Sequence, residues 1–175
     1  MRTVDQMDLE GKKVIVRVDF NVPLENGTVH EEYRITSTLP TLRHILDQGA
    51  ALICCSHLGK PKGKKRPELS LAPVARRLSE LLEREVSMAP DCTGQEVSDM
   101  VGAMLPGEVL MLENLRFNPG EKENDPEFSK GLASLADVYV NDAFGVAHRE
   151  HASVVGITRF EIGRASCRER VYCEV

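Results

Sequence analysis

The chain has 175 residues, of which 42% are hydrophobic and 28% are charged, and its formal net charge at pH 7 is −5. This length and composition are typical of one globular domain with a buried core, and they exclude a disordered chain or two full-sized domains. The negative charge argues against a surface that binds polyanions over its whole extent, although a local basic patch remains compatible with it.

The sequence also lacks signals for a membrane or secreted protein. No apolar run approaches the roughly 20 residues of a membrane-spanning helix, and the N-terminal MRTVDQMDLEGKK has no apolar signal-peptide core. None of the five cysteines forms a C-x-x-C pair typical of zinc or redox sites, so we expect reduced thiols. These features predict a cytoplasmic protein that does not associate with membranes.

Five short runs rich in β-branched residues predict strands in chain order: VIVRV (14–18), ALICC (51–55), EVSM (85–88), EVLML (108–112) and DVYV (137–140). Segments with helical periodicity lie between them, at 34–46, 70–85, 97–105 and 125–135. Pro40 makes the start of the first helix uncertain, Ser70 is the expected N-cap of the second, and Asp125 with Pro126 is expected to open the last.

This alternation predicts the fold class. The strand runs read as apolar on both faces, which indicates a parallel sheet covered by helices. We therefore expect an α/β fold with a doubly wound parallel sheet and helices on both faces, Rossmann-like, in a single domain. Ligands of such domains bind at the edge formed by the carboxyl ends of the strands.

Polar side chains follow four of the predicted strands, and together they predict one assembled pocket. The loops carry, in chain order, Asp19 and Asn21; His57 and Lys60; Glu113, Asn114 and Arg116; and Asp142, His148, Arg149 and His151. Three of these residues are cations, and Arg34 at the start of the first helix adds a fourth. Arginine forks suit a phosphate or carboxylate, whereas Asp19 and Asn21 suit a hydroxyl, so we expect a small, multiply charged anion.

Simpler explanations remain for the individual residues. The run KPKGKKR (60–66) could be a solvated loop, or could bind nucleic acid in a stand-alone anion-binding or nucleic-acid-binding module, although it lacks interleaved aromatic residues. Arg116 could form a surface ion pair, and His57 could be an interior histidine. His148 and His151 could form half of a zinc site, and with Asp142 they could serve a metal hydrolase. No third ligand stands at a characteristic spacing, so we expect no metal.

Nucleotide-binding motifs are missing from the strand ends. Neither G-x-x-x-x-G-K-[ST] nor G-x-G-x-x-G follows a predicted strand, and GKPKGKK has no Ser or Thr after its lysine. The sequence therefore predicts an anion pocket without a nucleotide site.

The segments VIVRVDFNVP, SHLGKPKG, LENLRF and VNDAFGVAHREHASVVG, in this order, resemble the N-terminal domain of phosphoglycerate kinase over roughly residues 1–160. The resemblance implies a usually monomeric glycolytic enzyme that transfers a phosphoryl group reversibly between 1,3-bisphosphoglycerate and ADP, giving 3-phosphoglycerate and ATP. It implies that this domain binds 3-phosphoglycerate, and that a second domain, expected to be missing here, binds Mg-ATP or Mg-ADP.

The resemblance also implies residue roles. Asp19 and Asn21 match residues at the hydroxyl and carboxyl end of the glycerate. Arg34 matches a catalytic arginine that contacts the carboxylate and stabilises the transferring phosphoryl group. The remaining matched residues form a basic patch for the 3-phosphate: His57, Lys60, Arg116 and Arg149. At Lys60 the family commonly has arginine, and lysine keeps the charge but loses the bidentate fork.

The resemblance ends near Phe160. The following EIGRASCRERVYCEV has no strand or helix periodicity, and EIGRASCRERV resembles the translation of a sequencing-library adapter. We therefore expect residues 161–175 to be an artefactual tail outside the family domain, and the chain to be a truncated phosphoglycerate kinase. On this expectation the 175-residue chain binds 3-phosphoglycerate weakly and does not transfer phosphate by itself.

Overall fold

A computed structural model describes residues 3–143, 145, 149–160 and 162–166. Its main sheet contains six parallel strands, and a separate two-stranded antiparallel hairpin precedes the first helix. The strands are β1 (Lys13–Val18), β2 (Leu24–Glu25), β3 (Thr28–Val29), β4 (Ala51–Cys55), β5 (Val86–Met88), β6 (Val109–Met111), β7 (Val138–Asp142) and β8 (Gly163–Ser166).

Helices cover both faces of the main sheet because alternate strand residues point to opposite sides. They are α1 (Tyr33–Thr36), α2 (Leu39–Asp47), α3 (Ala72–Leu82), α4 (Gln95–Ala103), α5 (Pro119–Glu123) and α6 (Pro126–Ala133). Helices α2 and α3 pack with Val14 and Val16 of β1 on one face. On the other face, α4 and α6 pack with Ile15. The α/β, doubly wound, single-domain prediction is confirmed.

The main sheet has the strand order β5-β6-β4-β1-β7-β8, with β1 between β4 and β7. The chain leaves β1 towards β4 on one side, whereas it leaves β7 towards β8 on the other. The crevice between the carboxyl ends of β1 and β7 is thus the topological switch point, where ligands of open α/β sheets bind. This topology places the predicted polar loops around one edge.

All five predicted strands are present, but two helix predictions needed correction. The single helix expected over 34–46 is two helices, α1 and α2, with Pro40 in the first turn of α2, where proline costs no hydrogen bond. Ser70 is not the N-cap of α3. The N-cap residue is Leu71, whose N–H donates to the Glu113 carboxylate at 3.0 Å. Glu113 thus satisfies a backbone donor at the start of the helix, as a capping side chain would. Asp125 caps α6 as predicted, accepting from the Phe128 N–H at 2.7 Å.

No pattern in the sequence predicts β8, which lies in the segment after Phe160 that was expected to lack regular structure. Gly163–Ser166 pairs in parallel with β7, from Val138↔Gly163 to Asn141↔Ser166. A backbone ladder needs no apolar alternation at a sheet edge, which explains why the pattern was missed. Glu161 and residues 167–175, the rest of the predicted tail, lie outside the described residues. Within the described ranges, no helix is long and apolar enough to cross a membrane.

Candidate functional site

Two buried polar side chains hold the strand-end loops in place. Ser56, just after β4, donates to the Val18 carbonyl at 2.9 Å and accepts from the Phe20 N–H at 2.9 Å. Asn114, after β6, accepts from the Leu58 N–H at 3.2 Å and donates to the Leu58 carbonyl at 2.8 Å. Asn114 is fully buried, so it fixes the loop after β4 to the loop after β6 and does not face a pocket.

Asp19 and Arg34 meet at the end of β1. Arg34 donates through a terminal guanidinium nitrogen to Asp19 Oδ2, and its side chain is half exposed while that of Asp19 is mostly covered. The other carboxylate oxygen, Asp19 Oδ1, is buried and has no hydrogen-bond partner within the described part of the chain. Gly145 lies so close that a Cβ there would stand 2.8 Å from Asp19 Oδ2. Gly145 therefore lies close enough to the Asp19 carboxylate that a side chain at residue 145 would force Asp19 to shift.

Asn21 and Arg116 both contact the backbone of Gly59. Asn21 Oδ1 accepts from the Gly59 N–H at 2.8 Å, and Arg116 donates to the Gly59 carbonyl at 2.8 Å. Arg116 is 7% exposed, and its buried Nε–H has no partner among the described residues. The surface ion pair considered for Arg116 is therefore wrong. Burial, with the nearby charges of Arg149 and Arg17, lowers the pKa of Arg116.

His57 is 3% exposed, and its Nδ1 lies 3.0 Å from a terminal nitrogen of Arg17. Burial, followed by the charges of Arg17 and Arg116, lowers the pKa of His57 to about 2. The imidazole is thus neutral throughout the physiological range. It is an interior histidine, as one interpretation of the sequence held, and it also lies among the cations of the strand ends.

The remaining predicted residues differ in exposure. Lys60 and Arg149 are exposed. The charge of Arg149 lowers the pKa of Arg116, His57 and His151, which places it within electrostatic range of all three. Burial and the surrounding cations lower the pKa of His151 to about 4. The carboxyl edge therefore concentrates positive charge in a chain whose net charge is negative.

Three residues beneath this edge were not predicted from the sequence. Arg17 was counted within the apolar run of β1, but it is a fully buried cation that contacts His57 and Ser153. Glu121 of α5 is also fully buried and accepts from Ser153. A signal existed for Arg17, because a charge inside a strand covered on both faces must have partners. Glu121 and Ser153 carried no such signal.

The histidine pair of the metal hypothesis is only partly described. His148 lies outside the described residues, and Asp142 ends β7. Among the residues that the structure describes, no group of three or more His, Cys, Asp or Glu side chains could hold a metal ion.

The fold and the site define a class: an α/β domain whose switch-point edge concentrates positive charge. Comparison with known proteins gives the family. The family model described as phosphoglycerate kinase matches residues 4–169, and the chain belongs to that family. The match extends past Phe160, where the resemblance was expected to end. The comparisons do not support the alternative of a stand-alone anion-binding or nucleic-acid-binding module.

Curated relatives are similar over most of this chain. The phosphoglycerate kinase of Chloroherpeton thalassium is 56% identical over 159 residues, which are 91% of this chain and 40% of the relative. That of Moorella thermoacetica is 57% identical over 158 residues, again 40% of its length. The chain thus spans about two fifths of the relatives that it matches.

Solved structures agree with this assignment. The phosphoglycerate kinase of Coxiella burnetii has a TM-score of 0.82 and 39% identity, with 94% of this chain and 40% of that chain covered. The enzyme of Pyrococcus horikoshii OT3 has a TM-score of 0.86 and 32% identity, with 95% and 42% covered.

Proposed function

We propose that this chain supplies the 3-phosphoglycerate site of a phosphoglycerate kinase, which transfers a phosphoryl group reversibly between 1,3-bisphosphoglycerate and ADP in glycolysis. The observation that carries the proposal is Arg116, a buried guanidinium whose Nε–H has no partner within the described ranges. Leaving such a donor unpaired costs about 1–3 kcal/mol, which an anion at this edge relieves. Family membership supports a phosphorylated glycerate as that anion.

The contacts suggest how the ligand is divided among the loops. The basic patch of His57, Lys60, Arg116 and Arg149 takes the 3-phosphate, because most of the positive charge gathers there. The free Oδ1 of Asp19 accepts the glycerate hydroxyl, and Asn21 lies beside it at the end of β1. Arg34 gives up part of its ion pair with Asp19 and contacts the substrate carboxylate.

Arg34 is the proposed catalytic residue of this chain. Phosphoryl transfer needs positioning and charge stabilisation more than a covalent catalyst. The Arg34 guanidinium is half exposed and is held at one end by Asp19. Its free end can contact the substrate carboxylate and then the transferring phosphoryl group. Its fork matches the paired oxygens of either group.

We propose, as the family resemblance implies, that the magnesium nucleotide binds a second domain of the full-length enzyme; this chain spans 40% of the curated relative that it matches. The protein is proposed to act in the cytoplasm as a monomer with its nucleotide-binding part, as the family implies.

Calorimetric titration of the 175-residue chain with 3-phosphoglycerate tests the proposal. Arg149→Ala removes a charge-assisted contact worth about 1.5–3 kcal/mol, so the dissociation constant should rise by roughly 10–100-fold. Lys64→Ala is the matched control, since Lys64 is an exposed cation of the 60–66 run, and its dissociation constant should stay within about twofold. Equal losses in both variants, or a greater loss on replacing His148 than Arg149, would contradict the assignment.

A further inference from the structure

The buried guanidinium of Arg17 fixes the chemistry of His57. Arg17 donates from Nε to Ser153 Oγ at 2.9 Å, from one terminal nitrogen to the Val18 carbonyl, and from the other to His57 Nδ1, 3.0 Å away. A guanidinium has donors and no acceptor, so His57 Nδ1 must be the acceptor. In a neutral imidazole the proton must then be on Nε2, which makes that nitrogen a donor.

Ser153 links Arg17 to Glu121 through hydrogen bonds. The Ser153 hydroxyl donates to Glu121 Oε1 at 2.6 Å, and its backbone N–H donates to Oε2 at 3.0 Å. Because a hydroxyl has one proton, the Ser153 oxygen can offer only a lone pair to Arg17. Glu121 is 0% exposed, so a buried carboxyl group and a buried cation face each other across one hydroxyl group.

We infer that Glu121 is a positioning residue for the anion site: acting through Ser153 and Arg17, it holds His57 as a neutral ring with its proton on Nε2. This inference rests on the proposed function, because it adds a determinant to the same site. None of the three supporting residues needs to touch the substrate. The chain of hydrogen bonds runs from α5, through the segment after β7 and along β1, to the loop after β4.

The electrostatics agree with a neutral donor. Burial, together with the cations around His57, holds its pKa at about 2, so the ring adds no further positive charge to a site that already contains Arg116 and Arg149. A neutral Nε2–H still donates to a phosphate oxygen. The strength of this hydrogen bond to phosphate depends on the orientation of the His57 ring, which the hydrogen bond from Arg17 fixes.

The first test reads the tautomer directly in the ligand-free chain. Long-range 1H–15N correlation should show His57 with a protonated, pyrrole-type Nε2 and a pyridine-type Nδ1, unchanged between pH 5 and pH 8. A ring that is protonated on Nδ1, or that titrates in this range, overturns the inference. The result does not depend on the ligand, so a failure of 3-phosphoglycerate to bind refutes the proposed function separately.

The second test replaces Glu121 by glutamine. The amide nitrogen must face either the Ser153 N–H or the Ser153 hydroxyl. In the first pairing, the amide N–H and the Ser153 backbone N–H are two donors facing each other. In the second, the Ser153 hydroxyl loses its acceptor, so its proton turns towards Arg17. We expect mixed His57 tautomers and about a tenfold rise in the dissociation constant for 3-phosphoglycerate. Glu123→Gln makes the same chemical change at an exposed position of the same helix and should leave both readouts unchanged.

Ser153→Ala provides an independent route if Glu121→Gln does not fold. It removes the bridging hydroxyl but keeps the backbone N–H that donates to Glu121. The same mixed tautomers and weaker binding are expected. A folded Ser153→Ala or Glu121→Gln chain with the Nε2–H tautomer and wild-type affinity overturns the positioning role.

Discussion

Lowering the pH should destabilise the fold through His57. The pKa of His57 is about 2 in the folded chain, against 6.5 for an unperturbed histidine. Between these values the unfolded chain binds a proton that the folded chain does not. The stability that the neutral ring contributes is therefore fully present above pH 6.5 and is lost progressively as the pH falls towards 2.

The size of the effect follows from these two pKa values. Proton uptake by the unfolded histidine lowers the free energy of unfolding by ~0.2 kcal/mol at pH 7 and by ~2 kcal/mol at pH 5. The slope between pH 6 and pH 4 approaches ~1.4 kcal/mol per pH unit. His151 acts in the same direction, because its pKa is also lowered. The raised pKa of Glu121 acts in the opposite direction, since its stabilising contribution is lost as the pH rises.

Urea unfolding at pH 7 and pH 5, in parallel with the variant His57→Asn, isolates the His57 contribution. The asparagine carbonyl can accept from Arg17 in place of Nδ1, but it does not titrate. The wild type should lose about 2 kcal/mol more than the variant between the two pH values, because the other groups cancel in the difference. Equal losses in both chains would show that His57 titrates normally when folded, which would refute the buried-histidine argument.

Three further predictions concern single substitutions. Asp125→Ala removes the α6 cap that accepts from Phe128 and should lower the free energy of unfolding by about 1 kcal/mol in urea; an unchanged midpoint would contradict the cap. Gly156→Ala brings a Cβ within 2.0 Å of Ser129 Oγ and should cost about 3 kcal/mol in the same assay; a loss below that of the cap variant would be inconsistent with this packing. Lys60→Arg should tighten 3-phosphoglycerate binding by about threefold to tenfold in calorimetry, because it restores a bidentate fork, and weaker binding would argue against a phosphate contact.

The main sheet could be predicted because its strands carry their own signal. A run such as ALICC is buried on both faces, so its apolar composition alone marks it. The positions of the site loops followed from the topology, since parallel strands end at one edge. The hairpin of β2 and β3 was missed because strands of two residues are too short for a period. Strand β8 was missed because GRAS joins the sheet by backbone pairing.

The supporting network could not be predicted, because its contacts join distant parts of the chain. Arg17 and Ser153 are 136 residues apart, and neither position marks the other in sequence. Glu121 follows Pro119 and Gly120 in a segment that reads as a polar turn, so its complete burial was not expected. Burial of such a charge is decided by what packs around it, which local patterns do not record.

Amide NMR during a titration with 3-phosphoglycerate is the most direct test of one assembled site. We expect the amides of Asn21, His57, Arg116 and Arg149 to shift together with a single dissociation constant, while amides of α4 on the sheet face remain unchanged. Shifts confined to one loop, or different dissociation constants for different loops, would contradict a shared 3-phosphoglycerate site.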